Sequence, residues 1–149
     1  MNDTSAKTGE LTIVRTYNAP RELVFECMIT PEHLTHFWGP VGVSTPLETI
    51  KVDPQPGGVF EMVMVNDSDG SEYPNRFFIV EIDKPSKLSW KEPDVEGGML
   101  TSLTFVDLGD CRTEVTIYQT NVPELYMSAE AQAGMQSSLD RFAAYVNSL

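Results

Sequence analysis

Between residues 44 and 120 the chain is a succession of short alternating apolar runs, and that pattern leaves little room for anything but an antiparallel sheet. The runs cover 47–52, 59–65, 75–82, 87–91, 99–107 and 112–120. Between them lie DPQPGG, NDSDGSEYP, DKPS, EPDVEGG and LGD, which supply the Gly, Pro, Asp and Asn of tight reversals. Links this short join strands that run in opposite directions, so the runs predict a meander.

The flanks read differently. Residues 11–17 set Leu11, Ile13, Arg15 and Tyr17 against Thr12, Val14 and Thr16, a period of two that predicts a first strand. Pro20 suits a helix start, and Leu23, Val24, Cys27 and Met28 follow at helical spacing. Thr30-Pro31-Glu32 supplies a second start: an N-cap, a proline at the first helical position and a carboxylate at the positive end of the dipole. Gly39-Pro40 stops it. From Ser128 to Leu149, Ala131, Met135, Leu139, Phe142, Val146 and Leu149 recur every three or four residues, which predicts one long amphipathic helix. The expected class is α+β: a seven-stranded antiparallel sheet, two short helices and a long C-terminal helix on one face. The polar opening MNDTSAKTGE reads as a flexible tail over residues 1–10, ahead of a single domain over 11–149.

Charge restricts the partners. A net charge of −12 opposes binding held by phosphate contacts, so no nucleic acid is expected, and it disfavours anionic membrane surfaces. Proteins, cations and uncharged small molecules remain. The N-terminus has no secretory pattern, so a reducing cytoplasm is the expected compartment. Cys27 and Cys111 do not amount to a disulfide framework, and both are expected as buried free thiols.

Several motifs invite chemistry and do not sustain it. His33 and His36, the only histidines, share a helical face, but the chain has no third histidine and no C-x-x-C pair, so no metal is expected. VNDSDGSEYPNR carries Asp67, Asp69 and Gly70 at calcium-loop spacing, yet Val65 and Arg76 occupy the positions that need Asp and a bidentate Glu. A hairpin loop is the better reading. Gly57-Gly58 lacks the glycine spacing and following helix of a phosphate cradle, and predicts a close backbone approach or positive φ. No G-x-S-x-G elbow is present, so no catalytic residue is assigned. The positive signal is apolar. Phe60, Met62 and Met64 share one side of a predicted strand, as do Leu88 with Trp90 and Leu103 with Phe105. Met135, Leu139 and Phe142 would face them from the long helix.

These pieces together resemble the START-like, helix-grip superfamily, and within it the heat-shock-protein-90 ATPase activator homologues. The resemblance rests on Arg15, Ala19-Pro20 and Val24-Phe25, then Thr30-Pro31-Glu32 and Leu34 leading into FWGP. It continues through PGGVFEMVM, Asp69-Gly70, VEIDKPSKLSW, Thr104-Phe105, Thr113 in CRTEVTI, and GMQSSLDRFAAYV. It implies a curved sheet gripping the C-terminal helix around a cavity, with no cofactor. The cavity's implied lining is Trp38, Phe60, Met62, Trp90 and Leu103, with Phe105, Met135, Leu139 and Phe142; Trp38 would stand at its mouth. Three positions depart from the family pattern. Phe37 stands where the first Trp of a Trp-Trp pair is usual, Phe77 where a Gly usually opens the fourth strand, and Met135 where a Trp often follows the Gly. Bulk at these places would reshape the cavity.

The function this implies is binding of an apolar or aromatic small molecule. Superfamily relatives that are polyketide cyclases and aromatases suggest an enzyme as the alternative, with Arg15, Glu61 and Tyr118 as its conceivable polar groups. A chaperone-linked or other protein-interaction module is the third reading.

Overall fold

The computed structural model describes residues 8–92 and 98–149; residues 1–7 of the tail predicted over 1–10 and most of the EPDVEGG reversal lie outside them. The first strand starts earlier than the alternation suggests. β1 spans Thr8–Tyr17 because Thr8 and Gly9 pair with Pro123 and Val122 beyond a bulge in β8, where Thr120 and Asn121 stand opposite Glu10. Residues 8–10 therefore belong to the sheet and not to a tail. The chain then forms α1 (Arg21–Cys27) and α2 (Pro31–Leu34). Pro31 sits in the first turn of α2 as expected, but the Thr30 hydroxyl does not cap that helix: it donates to the Glu26 carbonyl at 2.7 Å, satisfying an end group of α1.

The meander follows as β2 (Val43–Ser44), β3 (Lys51–Val52), β4 (Val59–Asn66), β5 (Glu72–Asp83), β6 (Lys87–Lys91), β7 (Leu100–Gly109) and β8 (Arg112–Pro123). All pairings are antiparallel, and the order across the sheet is β1-β8-β7-β6-β5-β4-β2, with β3 also on β4. The sheet has eight strands where seven were expected. The difference lies in residues 47–52, read as one strand. Leu47–Thr49 is instead a 3-10 turn, leaving only Lys51–Val52 extended, while Val43–Ser44 pairs with β4 on its own. The cause is Thr49, whose backbone N–H and hydroxyl both donate to the Pro46 carbonyl, at 3.0 and 2.8 Å. The same hydroxyl accepts from the Val63 N–H at 3.1 Å, which fastens the turn to β4.

Gly58, at the entry to β4, has no room for a side chain: a Cβ there would lie 2.1 Å from the Asp53 carbonyl oxygen. This is the close approach that the glycine pair predicted. The 66–71 loop closes on itself as a hairpin, with Asn66 Oδ1 accepting from Ser68 and Asp69 Oδ1 accepting from the Ser71 N–H. At the β7–β8 reversal Asp110 and Cys111 both have positive φ, the geometry of a two-residue hairpin turn. Cys111 is exposed there, whereas Cys27 is buried, so only one of the two thiols is in the core.

α3 (Ala129–Asn147) is the long helix, capped by the Ser128 hydroxyl, which accepts from the Ala131 N–H at 3.1 Å. Phe142 and Val146 are buried, while Met135, Leu139, Ala143 and Tyr145 are half-buried against the core. Alternation puts Tyr17, Phe60, Met62, Leu88, Trp90, Leu103, Phe105, Val115 and Ile117 in that same core. Thr113 shows how a polar group joins it. Fully buried, its hydroxyl donates to the Ala19 carbonyl at 2.7 Å, locking β8 to the turn between β1 and α1.

Candidate functional site

The resemblance predicts one lining; its residues all lie in or against one apolar core, with their ring contacts in three groups. Phe60 and Trp90 stack, with ring centroids 4.9 Å apart and 13° between planes. Trp38 leans on both, at 5.6 Å from Phe60 and 6.1 Å from Trp90. Phe105 lies edge-on to Phe25 of α1 at 5.1 Å. Phe142 meets Phe37 at 4.4 Å and Tyr17 at 4.8 Å. Met62 and Leu103 are buried core residues, and Met135 and Leu139 are half-buried on the inner side of α3.

The bulky departures from the family pattern explain part of this division. Phe77 pairs with Phe60 across β4 and β5, and its ring lies 6.2 Å from Trp90, so it joins the ring cluster where a glycine would leave space. Phe37 is buried beneath α3 against Phe142 and Tyr145.

Trp38 is half-buried, and its position is set by polar contacts that the sequence did not reveal. Its indole Nε1–H donates to Asn75 Oδ1 at 3.0 Å, and its carbonyl accepts from the Thr45 hydroxyl at 3.1 Å. The chain then turns away at Gly39, whose φ is +94° and where a Cβ would meet the Met64 sulfur at 3.0 Å. Arg141 of α3 holds that corner: its Nη1 donates to the carbonyls of Gly39, Pro40 and Val43, at 2.9 to 3.1 Å. The Val41 N–H also donates to the Ser137 hydroxyl, at 3.3 Å. Asn75 and Arg141 carried no signal in the sequence because a lone polar residue in a strand or helix reads as solvent-facing until topology supplies its partner.

Two open clefts flank this region. One, of about 460 Å³, lies between the Pro40–Val43 corner and the β4–β5 hairpin, over Met64 and beside Tyr73. The other, of about 250 Å³, includes Met62, Asn75, Glu61 and Arg76. Of the predicted lining residues only Met62 borders either of them.

The conceivable catalytic groups are engaged elsewhere. Arg15 donates to Gln136 at 3.0 Å and pairs with Asp140 at 2.8 Å, both on α3. Glu61 pairs with Arg76 at 3.3 Å, and Tyr118 is exposed beside Glu10; desolvation, with Glu10 adding to it, raises its pKa. The histidines pack on Tyr145: its hydroxyl meets His33 Nδ1, and His36 stacks on its ring at 5.1 Å. Burial pushes the Tyr17 hydroxyl up to about 12, partly offset by the positive charge of Arg15. It likewise pushes the Cys27 thiol to about 11, with the Glu26 charge adding to the effect. These are inert core groups at neutral pH.

A curved antiparallel sheet closed over a long C-terminal helix, with α1 and α2 at one end, defines a START-like helix-grip domain. Residues 18–147 match the model of the family described as Activator of Hsp90 ATPase homolog 1-like protein, and the chain belongs to that family. A search of curated protein sequences finds no match. Among solved structures, a protein from Nitrosomonas europaea is similar with a TM-score of 0.82 at 20% identity, covering 96% of each chain. One from Chromobacterium violaceum gives 0.81 at 22% identity, covering 91% of this chain and 96% of that one. The AHSA1 protein from Silicibacter pomeroyi gives 0.76 at 21% identity, covering 93% of this chain and 98% of that one. At these identities the likeness is one of fold. Among the described residues no helix is long and apolar enough to cross a membrane.

Proposed function

We propose that this protein binds a small apolar or aromatic molecule between the inner side of α3 and the rings of Trp38, Phe60 and Trp90. Met62, Leu103, Met135 and Leu139 would complete the apolar wall, with Phe105 and Phe142 closing its deeper end. The observation that carries the reading is Trp38: a half-buried indole on the edge of a buried ring stack, fixed through one hydrogen bond to Asn75. Swinging it aside would break that bond and open a way to Phe60 and Trp90. Burying ~300 Å² of ligand would supply roughly 7–8 kcal/mol gross, on the scale of micromolar binding before ordering costs and without a charged anchor.

The engagement of Arg15, Glu61 and Tyr118 in other contacts favours binding over the cyclase-like alternative, which needs an acid or base facing the ligand. Two free thiols suit the reducing cytoplasm. The test is a panel of lipophiles followed by tryptophan fluorescence, thermal shift and native mass spectrometry. A binder should change the emission, raise Tm and add a stoichiometric mass, and Trp38→Ala should alter its affinity at least several-fold. No response in any of the three across the panel would remove the proposal.

A further inference from the structure

We infer that the cleft between the Pro40–Val43 corner and the β4–β5 hairpin is a second binding site, specific for a small organic ammonium ion with an aromatic or aliphatic body. Its volume of about 460 Å³ lies within the range of small-molecule sites. No residue of the proposed apolar site lines it. Its sides are apolar yet left to water, with Val41 73% and Tyr73 48% exposed, over a half-buried Met64. An alkyl or aryl group would cover all three.

The polar end selects the charge. Asp67 is the one ionised side chain in the lining, and it is held in place. Its N–H donates to the Gly42 carbonyl at 2.9 Å, and its Oδ1 accepts from the Ser44 hydroxyl at 2.6 Å. Among the described residues no basic side chain pairs with it. Arg141 reaches the same corner, but its Nη1 is occupied by three carbonyls and it does not border the cleft. An ammonium group could therefore meet the Asp67 carboxylate while the face of Tyr73 adds cation–π attraction. The chain's net charge of −12 concentrates cations around it and repels anions. A metal ion is a poor occupant because hard cations want six or more oxygens, and a single carboxylate lines the cleft. The walls are set in advance by the Arg141 contacts and by the pairing of Val43 with Asn66 and Ser44 with Val65, so little ordering opposes binding.

The test uses three probes that share a phenylethyl body, 2-phenylethylammonium, its isostere 2-phenylethanol and the anion 3-phenylpropionate, at constant ionic strength and followed by amide chemical shifts. The ammonium should give saturable shifts at Gly42, Val43 and Asp67. It should bind about two- to fivefold tighter than the alcohol, the scale of one exposed ion pair, with the carboxylate weakest. Asp67→Asn keeps an oxygen for Ser44 and should abolish the difference between ammonium and alcohol. Asp83→Asn, which removes an equal charge elsewhere, should not. Tyr73→Ala should weaken both probes. The inference is overturned by shifts that do not saturate, by equal binding of ammonium and alcohol, or by equal effects of the two Asp substitutions. Saturable shifts confined to the neighbours of Trp38 and Trp90 would also overturn it while supporting the apolar site.

Discussion

Cys27 and Cys111 carry the same side chain into opposite environments. The exposed thiol on the β7–β8 turn should be alkylated rapidly in the native protein, and the buried one only after unfolding. Mass spectrometry before and after denaturant should count one adduct and then two. Tyr17 makes an alkaline prediction. Its hydroxyl titrates near 10 in the unfolded chain and near 12 when folded, so between those values the unfolded state loses its proton first. Stability from this group is intact below pH 10 and falls through the pH 10–12 window, by about 2–3 kcal/mol in all. Denaturant titrations across that range should show a shallower decline in Tyr17→Phe than in the parent. Phe77 shows what a single residue hides. Alternation placed it in a strand, but its closeness to Trp90 follows from how β5 pairs with β4 and β6, which no local pattern contains.

Elements were legible where their period was long and their boundaries were chemical. The β4–β8 runs and α3 follow the alternation and the helical spacing because those patterns decide which side meets the core. Residues 47–52 misled for a local reason: apolar Leu47 and Ile50 fit a strand, but Thr49 bonds the Pro46 carbonyl and curls the backbone. Two glycines, Gly58 ahead of β4 and Gly134 inside α3, should respond oppositely. Gly58→Ala forces a Cβ onto the Asp53 backbone and should lower unfolding free energy by about 3 kcal/mol, since backbone cannot step aside as a side chain can. Gly134 of α3 has open space around it, and Gly134→Ala should raise stability by about 0.5–1 kcal/mol through helix propensity. Urea melts of both variants check the pair. Arg141→Met keeps most of the stem but releases the corner carbonyls. It should remove about 2 kcal/mol and speed amide exchange at Val41 and Val43.

At the scale of the molecule, the fold was legible and the site only partly so. The order of strand, short helices, meander and long helix specifies the helix-grip arrangement, because links of a few residues permit only neighbouring antiparallel strands. The site depends instead on side chains from distant segments: Trp38 meets Asn75, and Arg141 meets Gly39, Pro40 and Val43. The resemblance grouped Trp38, Phe60 and Trp90 with Phe105 and Phe142; in the structure the first three are in mutual ring contact, while Phe105 meets Phe25 and Phe142 meets Phe37. The pairing of β1 with β8 has a further consequence. Thr8 lies against Pro123, so among the described residues β1 finds its only neighbour strand in β8, the last strand of the sheet. During synthesis β1 must wait, unpaired, until more than a hundred further residues have been made. The β1 edge of the sheet is thus added late, and contacts of such high sequence separation slow folding.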